Sequence, residues 1–344
     1  MKGVIIAGGL GTRLRPLTNW TPKPIVPVAN RPFILYQIDL LRRHGITEVI
    51  LNLHYLSREI KKLLGDGRKY GVKIYYSIER EPLGTAGAVK NAEKYFDEEP
   101  LLVFNGDVLT DIDLSAVIDF HKKQKSRATI TLTRVEDPTS YGLILTNREG
   151  VVTSFVEKPS WEQVRRYAEV GPADTINAGI YVLDPKIFRV VPAKMEHSFE
   201  RQLFPSLLEK GELVCGFISD SYWMDIGKPS QYREAHEAIL RGEVKVAVNG
   251  KTKNALTLVG KKVRLGKKVK IKEYSVIGDK VSLGDGSVVN NSIIWPGSKI
   301  GRHVTLDGCI IGAGCVVEEG SIIGGGVVLA DHSVIKKGSI ICSK

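Results

Sequence analysis

One aliphatic residue recurs every six positions in the last third of the chain, and this period constrains the fold more than any other feature. The spacing shortens to five residues twice, after Val289 and after Leu306. The fifteen repeated positions are Val259, Leu265, Ile271, Ile277, Leu283, Val289, Ile294, Ile300, Leu306, Ile311, Val317, Ile323, Leu329, Ile335 and Ile341. A six-residue period with small residues nearby predicts a parallel β-helix, in which each coil stacks only on its neighbours. We predict such a domain over 258–344, after a linker over 242–257.

Residues 1–241 follow a different pattern, in which short apolar segments alternate with amphipathic ones. The predicted strands are Gly3–Ala7, Glu48–Leu53, Lys73–Ser77, Leu101–Asn105 and Ala128–Arg134, and the predicted helices are Pro32–His44, Ser57–Leu64, Thr85–Ala92, Leu114–Gln124 and Pro229–Gly242. Asn30 is placed near the N-cap of the first helix. The alternation predicts an α/β domain with a mostly parallel sheet. Ligands bind beyond the carboxyl ends of such strands, so the segments after Ala7 and Asn105 are candidate binding segments.

Charge and cysteine content bear on the class of protein. The formal net charge is +11, and seven cations alternate with aliphatic residues in Lys261–Lys272. This alternation is typical of a solvated sheet face, so we expect no nucleic-acid partner. No apolar segment approaches the about 18 residues of a membrane span, so no membrane partner is expected. The cysteines Cys215, Cys309, Cys315 and Cys342 form no CxxC pair, which predicts a reduced, cytoplasmic protein without structural zinc.

A glycine-rich segment directly follows the first predicted strand. It reads GGLGTRLRPLT over 8–18, and PKP follows over 22–24. Glycines carry no side chain, so successive backbone N–H groups can converge on phosphate oxygens. Arg13 and Lys23 add the cations that a polyphosphate and a departing pyrophosphate require. The spacing matches neither a Walker A loop nor a dinucleotide-binding fingerprint, so another kind of nucleotide site is indicated.

This string resembles the amino-terminal signature of the sugar-1-phosphate nucleotidyltransferases, also called nucleoside-diphosphate-sugar pyrophosphorylases. Further segments similar to that family are LGTAG over 83–87, NGD over 105–107, YG over 141–142, FVEKP over 155–159, NAG over 177–179 and WMDIG over 223–227. The resemblance implies a Rossmann-like nucleotidyltransferase domain followed by a left-handed parallel β-helix of hexapeptide repeats. The handedness comes from the family and not from the period.

The resemblance also implies the reaction and a role for each matched residue. A sugar-1-phosphate oxygen attacks the α-phosphorus of a nucleoside triphosphate and pyrophosphate leaves, so positioning and charge stabilisation dominate. The implied nucleotide-binding residues are Gly8, Gly9, Gly11, Thr12, Arg13, Lys23, Leu83, Gly84, Thr85, Asn105 and Asp107. The implied sugar-phosphate-binding residues are Gly142, Glu157, Lys158, Asn177 and Gly179. The implied catalytic set is Arg13, Lys23, Asp107, Lys158 and Asp225, and Asp107 and Asp225 are expected to bind the Mg²⁺ cofactor through hard carboxylate oxygens.

The prediction of which base and which sugar the substrates carry depends on single positions in these motifs. Pyrimidine-specific members of the family tend to carry Gln or Glu at the position of Pro24, and some carry Gln at the position of Thr85. Both departures favour a purine nucleotide. The similarity of the whole sequence favours GTP and mannose-1-phosphate. Glucose-1-phosphate with dTTP, UTP or ATP remains an alternative.

Two other classes of function fit parts of the sequence less well. Hexapeptide β-helices also occur in acyltransferases with a catalytic histidine, but His303 and His332 lie in a short repeat that no long loop interrupts. A non-catalytic regulatory subunit would be expected to lose the cations or carboxylates, and this chain keeps Arg13, Lys23 and Asp107. We therefore predict an enzyme, and we expect its β-helix to contribute to a homo-oligomer.

Overall fold

The structure, a computed structural model, describes residues 1–169, 172–248, 250–252 and 256–343. The chain forms two compact units. The first comprises Met1–Gly9 and Gln37–Trp223, and the second comprises Leu10–Tyr36 and Met224–Lys344. Residues 249 and 253–255 of the predicted linker, and Lys344 of the predicted β-helix domain, lie outside the described residues. The domain boundaries at 242–257 stay a prediction.

Strands and helices alternate through the first 241 residues. The strands are β1 Lys2–Ile6, β2 Pro27–Val28, β3 Arg31–Pro32, β4 Glu48–Leu53, β5 Lys73–Ile78, β6 Leu101–Asn105, β7 Val108–Thr110, β8 Ala128–Arg134, β9 Gly142–Thr146, β10 Val152–Glu157, β11 Thr175–Leu183, β12 Val214–Ile218 and β13 Trp223–Asp225. The α-helices are α1 Ile34–Arg43, α2 Ser57–Leu64, α3 Gly84–Asn91, α4 Leu114–Gln124, α5 Trp161–Ala168, α6 Phe204–Glu209 and α7 Pro229–Arg241. Local capping sets several of these bounds: Asp113 accepts the amides of Ser115 and Ala116 before α4, and Gly242 ends α7 at a φ of 74°. Among the described residues, no helix is long and apolar enough to cross a membrane.

A mixed sheet forms the centre of the first unit. Its order is β10-β9-β11-β6-β1-β4-β5, and β8 pairs with β11 and β12. Strands β6, β1, β4 and β5 are parallel, as predicted, whereas β11 runs antiparallel to β6, β8 and β9. In the parallel part, residues such as Val4 and Ile50 are fully buried, which explains why these strands read as continuous apolar runs. Ile6 pairs with Asn105, so the segments after β1 and β6 leave the same edge of the sheet.

The predicted strands and helices of this region are confirmed to within two residues at each end. Strands β2, β3, β7 and β9 to β13 and helices α5 and α6 were not predicted. The N-cap position given to Asn30 is wrong. Asn30 has a φ of 59° and its Nδ2 donates to the carbonyl of Ile277 at 2.8 Å, while α1 begins only at Ile34. A contact with the β-helix therefore decides the conformation of Asn30, and its local helix-capping preference does not.

The repeat region of the second unit forms a parallel β-helix. A short strand β14, Lys251–Thr252, pairs antiparallel with its first strand. Within residues 256–343 the parallel strands are β15 Thr257–Val259, β16 Arg264–Leu265, β17 Lys270–Ile271, β18 Ser275–Ile277, β19 Ser282–Leu283, β20 Val288–Asn290, β21 Ile293–Ile294, β22 Lys299–Ile300, β23 Thr305–Asp307, β24 Ile310–Ile311, β25 Val316–Val317, β26 Ile322–Gly324, β27 Val328–Leu329, β28 Val334–Ile335 and β29 Ile340–Cys342. They form three sheets, β15-β18-β21-β24-β27, β16-β19-β22-β25-β28 and β17-β20-β23-β26-β29. Every repeated aliphatic position lies in one of these strands, and the stack Leu265, Leu283, Ile300 shows the in-register pairing.

The repeated residues build the interior of this domain. Ile277, Leu283, Val289 and their successors pack into one buried cluster. The corners adopt left-handed backbone conformations, and two of them carry His303 and His332, with φ of 55° and 63°. A Cβ added at Gly286 or Gly314 would lie 2.7 Å from the Nδ1 atom of His303 or His332, respectively. These imidazoles therefore pack over the glycine turns of the neighbouring coil.

Helix α7 and the segment 10–36 contact the β-helix within the second unit. Arg233 of α7 donates from Nη1 to the carbonyl of Gly308 at 2.7 Å. The indole N–H of Trp295 donates to the Tyr232 hydroxyl at 2.9 Å, and that hydroxyl donates to the carbonyl of Pro27. A buried chain of hydrogen bonds thus joins β-helix, helix and loop.

Candidate active site

The glycine-rich segment begins after β1 with two glycines, of which Gly8 is closely packed and Gly9 is not. A Cβ added at Gly8 would lie 3.2 Å from Glu79 Oε1 and 3.3 Å from the backbone nitrogen of His54, whereas nothing lies within 4 Å of one added at Gly9. Glu79 follows β5 and is only 6% exposed. Its Oε2 accepts the amide of Leu83 at 3.0 Å, and its Oε1 has no partner among the described residues. Burial raises the pKa of this carboxyl. Glu79 therefore joins the start of the glycine segment to the LGTAG loop.

The LGTAG segment, called the LGTAG loop, enters α3 at Gly84 and is fixed by backbone contacts with the segment around His197. The Leu83 carbonyl accepts the His197 amide at 2.9 Å, and the Gly87 amide donates to the His197 carbonyl at 3.0 Å. Gly84 has a φ of +69°, and a Cβ there would lie 2.7 Å from the His197 carbonyl oxygen. Only glycine fits this turn without strain. The hydroxyl of Thr85 accepts the Phe199 amide at 2.7 Å.

The NGD segment at the end of β6 depends on its central glycine. The Gly106 amide donates to the carbonyl of Ile6 at 2.9 Å, and a Cβ at Gly106 would lie 2.4 Å from that same oxygen. The glycine lets Asn105 and Asp107 sit directly beside the end of β1. Gln37 of α1 donates from Nε2 to the carbonyls of Asn105 at 2.9 Å and Val108 at 3.0 Å, which fixes the turn on both sides of Asp107.

The EKP segment pairs with the start of β9. Glu157 lies opposite Gly142 in the β9–β10 pair, and a Cβ at Gly142 would lie 3.1 Å from Glu157 Oε2. Burial raises the pKa of Glu157, the Glu200 carboxylate raises it further, and Lys158 and Arg201 oppose this. Lys158 has a φ of 51° and donates its amide to the Tyr141 carbonyl at 2.9 Å. Several other lysines of this chain also have a positive φ, so what distinguishes Lys158 is its place directly after the half-buried Glu157.

The NAG segment lies at an irregularity of β11. The register of the β11–β8 pair shifts between Asn177 and Tyr181. Gly179 has a φ of +71°, its amide donates to Asn177 Oδ1 at 3.0 Å, and a Cβ there would lie 2.7 Å from Asn105 Nδ2. The indole of Trp223 donates to the Ala178 carbonyl at 2.8 Å. The bulge thus brings the predicted sugar-phosphate residues Asn177 and Gly179 next to the predicted nucleotide residue Asn105.

In the second unit, residues 11–24 of the glycine-rich segment and the PKP turn fold into a compact loop. Gly11 has a φ of +62°, and its carbonyl accepts the Thr18 hydroxyl at 2.8 Å and the Leu14 amide at 3.0 Å. A Cβ at Gly11 would lie 3.1 Å from Lys23 Cβ, so the PKP turn packs directly on the glycine. Thr12 begins the short 3₁₀ turn Thr12–Leu14. The fold of the loop therefore brings Gly11, Thr12 and Lys23 together.

The carboxylate of the WMDIG segment meets this loop within the same unit. A Cβ added at Gly227 would lie 3.0 Å from Asp225 Oδ2 and 3.1 Å from Arg13 Cζ, so the guanidinium and the carboxylate converge there. Gln231, on the first turn of α7, donates from Nε2 to Asp225 Oδ1 at 2.7 Å and accepts the Gly227 amide at 3.2 Å. Pro24 is buried beside the same loop.

Three polar residues that hydrogen-bond to predicted site residues were not predicted from the sequence. They are Glu79, Glu200 and Gln231. Each is an ordinary polar residue outside a recognised motif, and contacts from distant parts of the chain give it its place. For Glu79, the position just beyond the carboxyl end of a parallel strand was an available signal. Among the described residues, no three His, Cys, Asp or Glu side chains form a metal-binding group. Asp107 and Asp225 each offer hard carboxylate oxygens, the kind of donor that Mg²⁺ prefers together with phosphate oxygens.

The structure thus combines an α/β unit, with glycines and carboxylates just beyond the ends of parallel strands, and a parallel β-helix in one chain. Residues 2–242 match the family model described as nucleotidyl transferase, and residues 254–344 match the one described as the GMPPB C-terminal domain. The chain belongs to the nucleotidyl transferase family.

The chain is also similar to individual members of this family whose reactions are named. The chain is 34% identical over 320 residues to a mannose-1-phosphate guanylyltransferase of Mycobacterium tuberculosis, covering 92% of this chain and 83% of the relative. It is 31% identical over 350 residues to a UTP–glucose-1-phosphate uridylyltransferase of Synechocystis sp., covering 92% of this chain and 88% of the relative. The solved structure of HddC from Yersinia pseudotuberculosis complexed with GMP-PN aligns with a TM-score of 0.57 and 33% identity, covering 69% of this chain and 99% of that one.

Proposed function

We propose that this protein transfers a guanylyl group from GTP to mannose-1-phosphate, producing GDP-mannose and pyrophosphate. A phosphate oxygen of the sugar forms a bond to the α-phosphorus, and the bond from the α-phosphorus to the bridging oxygen of pyrophosphate breaks. The convergence of Arg13 and Asp225 at Gly227, on the unit that also holds Lys23, carries the proposal. A cation and a carboxylate at a glycine-rich loop are what a triphosphate with its metal requires.

Each catalytic residue has a role that its surroundings support. Arg13 and Lys23 stabilise the charge on the β- and γ-phosphates, because both lie on the loop folded around Gly11. Lys158 neutralises the phosphate of the sugar and orients its attacking oxygen. Glu157, half-buried beside Gly142, and Asn177 accept hydrogen bonds from sugar hydroxyls.

Mg²⁺ is the proposed cofactor, and Asp107 and Asp225 are the proposed ligands. When bound, the ion neutralises phosphate charge and polarises the α-phosphate. The structure supports a preorganised role for each side chain. Gly106 fixes the turn before Asp107, and Gln231 holds one oxygen of Asp225.

Glu79 favours guanine over the other bases. Its buried Oε1 adjoins the glycine segment and has no partner among the described residues. Guanine presents two adjacent donors, N1–H and N2–H₂. Because Oε2 already accepts the Leu83 amide, Oε1 would take one of them, and an unpaired buried acceptor penalises a base that offers no donor there. We expect Glu79→Gln to raise the KM for GTP about tenfold. Glu81→Gln, an exposed change three residues before Gly84, is the matched control.

The second candidate is uridylyl transfer to glucose-1-phosphate. It is favoured by the Synechocystis relative, which covers as much of this chain as the guanylyltransferase does. It shares the fold, the reaction and the cationic loop with the first candidate. The recognition of base and sugar is what separates the two.

Pyrophosphate release with Mg²⁺, measured over a grid of nucleoside triphosphates and sugar-1-phosphates, tests the proposal. We expect the largest kcat/KM with GTP and mannose-1-phosphate. A larger value with UTP or dTTP and glucose-1-phosphate would replace the proposed substrates. Arg13→Ala and Lys23→Ala should lower kcat by about 100-fold or more, whereas Arg15→Ala, an exposed neighbour in the loop, should not. Unchanged kinetics in the first two variants would remove their assigned roles.

We also propose a cytoplasmic homo-oligomer whose subunits associate through the β-helix. The association of subunits is supported by exposed apolar side chains on the β-helix: Ile340 is 73% exposed and Val334 is 53% exposed. Light-scattering mass of the full chain, compared with an Ile340→Lys/Val334→Lys variant, tests it. An oligomer of unchanged mass would contradict the assigned surface.

A further inference from the structure

A buried tyrosine hydroxyl connects two of the segments assigned to the site, NAG and NGD, with Glu200. Tyr181 is fully buried on β11. Its hydroxyl accepts from Asn177 Nδ2 at 2.9 Å and donates to Glu200 Oε1 at 3.3 Å, and Asn105 also hydrogen-bonds to it. The predicted sugar-phosphate residue Asn177 and the predicted nucleotide residue Asn105 therefore share one partner. That partner is in turn held by Glu200.

Glu200 also reaches the LGTAG loop. Its Oε2 accepts the Thr85 hydroxyl at 3.1 Å and the Ser198 hydroxyl at 2.6 Å. Thr85 in turn accepts the Phe199 amide at 2.7 Å. Both oxygens of one carboxylate are thus used, one toward the LGTAG loop and one toward the NAG bulge. A carboxylate is suited to this because it accepts several hydrogen bonds at once, and charge-assisted bonds are stronger than neutral ones.

The position of Glu200 has an electrostatic consequence for Glu157. The charge of Glu200 disfavours the ionised form of Glu157, and the charges of Lys158 and Arg201 favour it. The carboxylates of Glu157 and Glu200 therefore repel each other. Sugar hydroxyls, which are donors, relieve that repulsion on binding.

We propose that Glu200 is a positioning residue that couples the nucleotide loop to the sugar-phosphate segment, by holding Thr85 through one oxygen and the Tyr181–Asn177 pair through the other. The inference rests on the proposed function and adds to it a residue outside the family motifs quoted above. Glu200→Gln leaves one acceptor oxygen for the hydroxyls of Thr85, Ser198 and Tyr181, so one side of the bridge is lost. Tyr181→Phe removes the acceptor of the Asn177 amide directly.

The test compares Glu200→Gln and Tyr181→Phe with Glu209→Gln, an exposed change on α6, in the full chain. Steady-state kinetics with GTP and mannose-1-phosphate, or with the best pair from the grid, give KM and kcat separately. We expect the KM for the sugar-1-phosphate to rise about tenfold in both single variants, with a smaller change in kcat. The double variant should resemble the single ones, because both changes break the same bridge. Glu209→Gln should behave as wild type.

The pH profile distinguishes positioning from a merely structural role. Removing the Glu200 charge lowers the pKa of Glu157, so the acidic limb of kcat/KM should move to lower pH in Glu200→Gln and stay in place in Glu209→Gln. A fall in thermal stability with wild-type KM and an unmoved acidic limb would overturn the inference and leave the proposed function intact. A wild-type chain inactive over the whole grid would overturn both.

Discussion

Removal of the Tyr232 hydroxyl tests whether the β-helix stabilises the segment 10–36. Tyr232 and Trp295 are 0% and 2% exposed. Tyr232→Phe leaves the Trp295 indole N–H without its acceptor and the Pro27 carbonyl without its hydroxyl donor. An orphaned buried donor costs about 1–3 kcal/mol, and one lost hydrogen bond about 1 kcal/mol. The free energy of unfolding should therefore fall by about 2–4 kcal/mol, since the phenyl ring still fills the same volume.

Urea unfolding followed by circular dichroism measures this change. The m-value should stay constant, so that the shift in midpoint reports stability alone. Tyr70→Phe is the matched control, because the Tyr70 hydroxyl makes only a 3.3 Å contact to the Leu63 carbonyl at a partly exposed position. Its effect should stay within about 0.5 kcal/mol. An equally small effect for Tyr232→Phe would refute the view that this hydroxyl joins the loop, α7 and the β-helix.

Three further outcomes are expected. Gly106→Ala would place a Cβ 2.4 Å from the Ile6 carbonyl oxygen; the backbone must shift, so kcat should fall about 100-fold and the melting temperature should drop, and wild-type kinetics would contradict this. Gly227→Ala brings its Cβ to 3.1 Å from Arg13 Cζ, so turnover should fall about tenfold with little change in melting temperature; a large loss of stability would argue against a local effect. Burial lowers the pKa of His236 from its usual 6.5 to about 4. As the pH falls from 6.5 to about 4, the unfolded chain binds a proton that the folded one does not, so the free energy of unfolding should decrease, by about 3 kcal/mol in total. An equally steep decrease in His236→Gln would assign the pH dependence elsewhere.

The repeat domain and the parallel part of the sheet could be predicted closely because their signals are local. An aliphatic residue that recurs every six positions predicts which side chains point inward. Because each coil stacks only on its neighbours, the arrangement of the coils follows from this period. The strand Leu101–Asn105 and the helix Leu114–Gln124 were predicted with their observed bounds. Their apolar periodicity and the capping Asp113 lie within a few residues of the elements themselves.

The antiparallel half of the first sheet was harder to predict. Strand β11 is nine residues long, but its pairing with β8 shifts register between Asn177 and Tyr181. Such a bulge has no reliable local signature, because the partner strand and the approach of Asn105 to Gly179 determine it. The motif NAG could be recognised in the sequence, but the reason for its glycine could not.

By itself, the sequence determined the β-helix, the strand ends that carry the glycine segment and NGD, and the residue types of the site, since these follow from period and composition over short stretches. Tertiary structure decided which residues act together. Asn30 contacts Ile277, 247 positions away, instead of capping its own helix. Thr85 and Glu200, 115 residues apart, meet only because the LGTAG loop packs on the turn that follows Ser198. A hydrogen bond forms wherever folding brings donor and acceptor within about 3 Å, and separation along the chain does not reveal such a meeting.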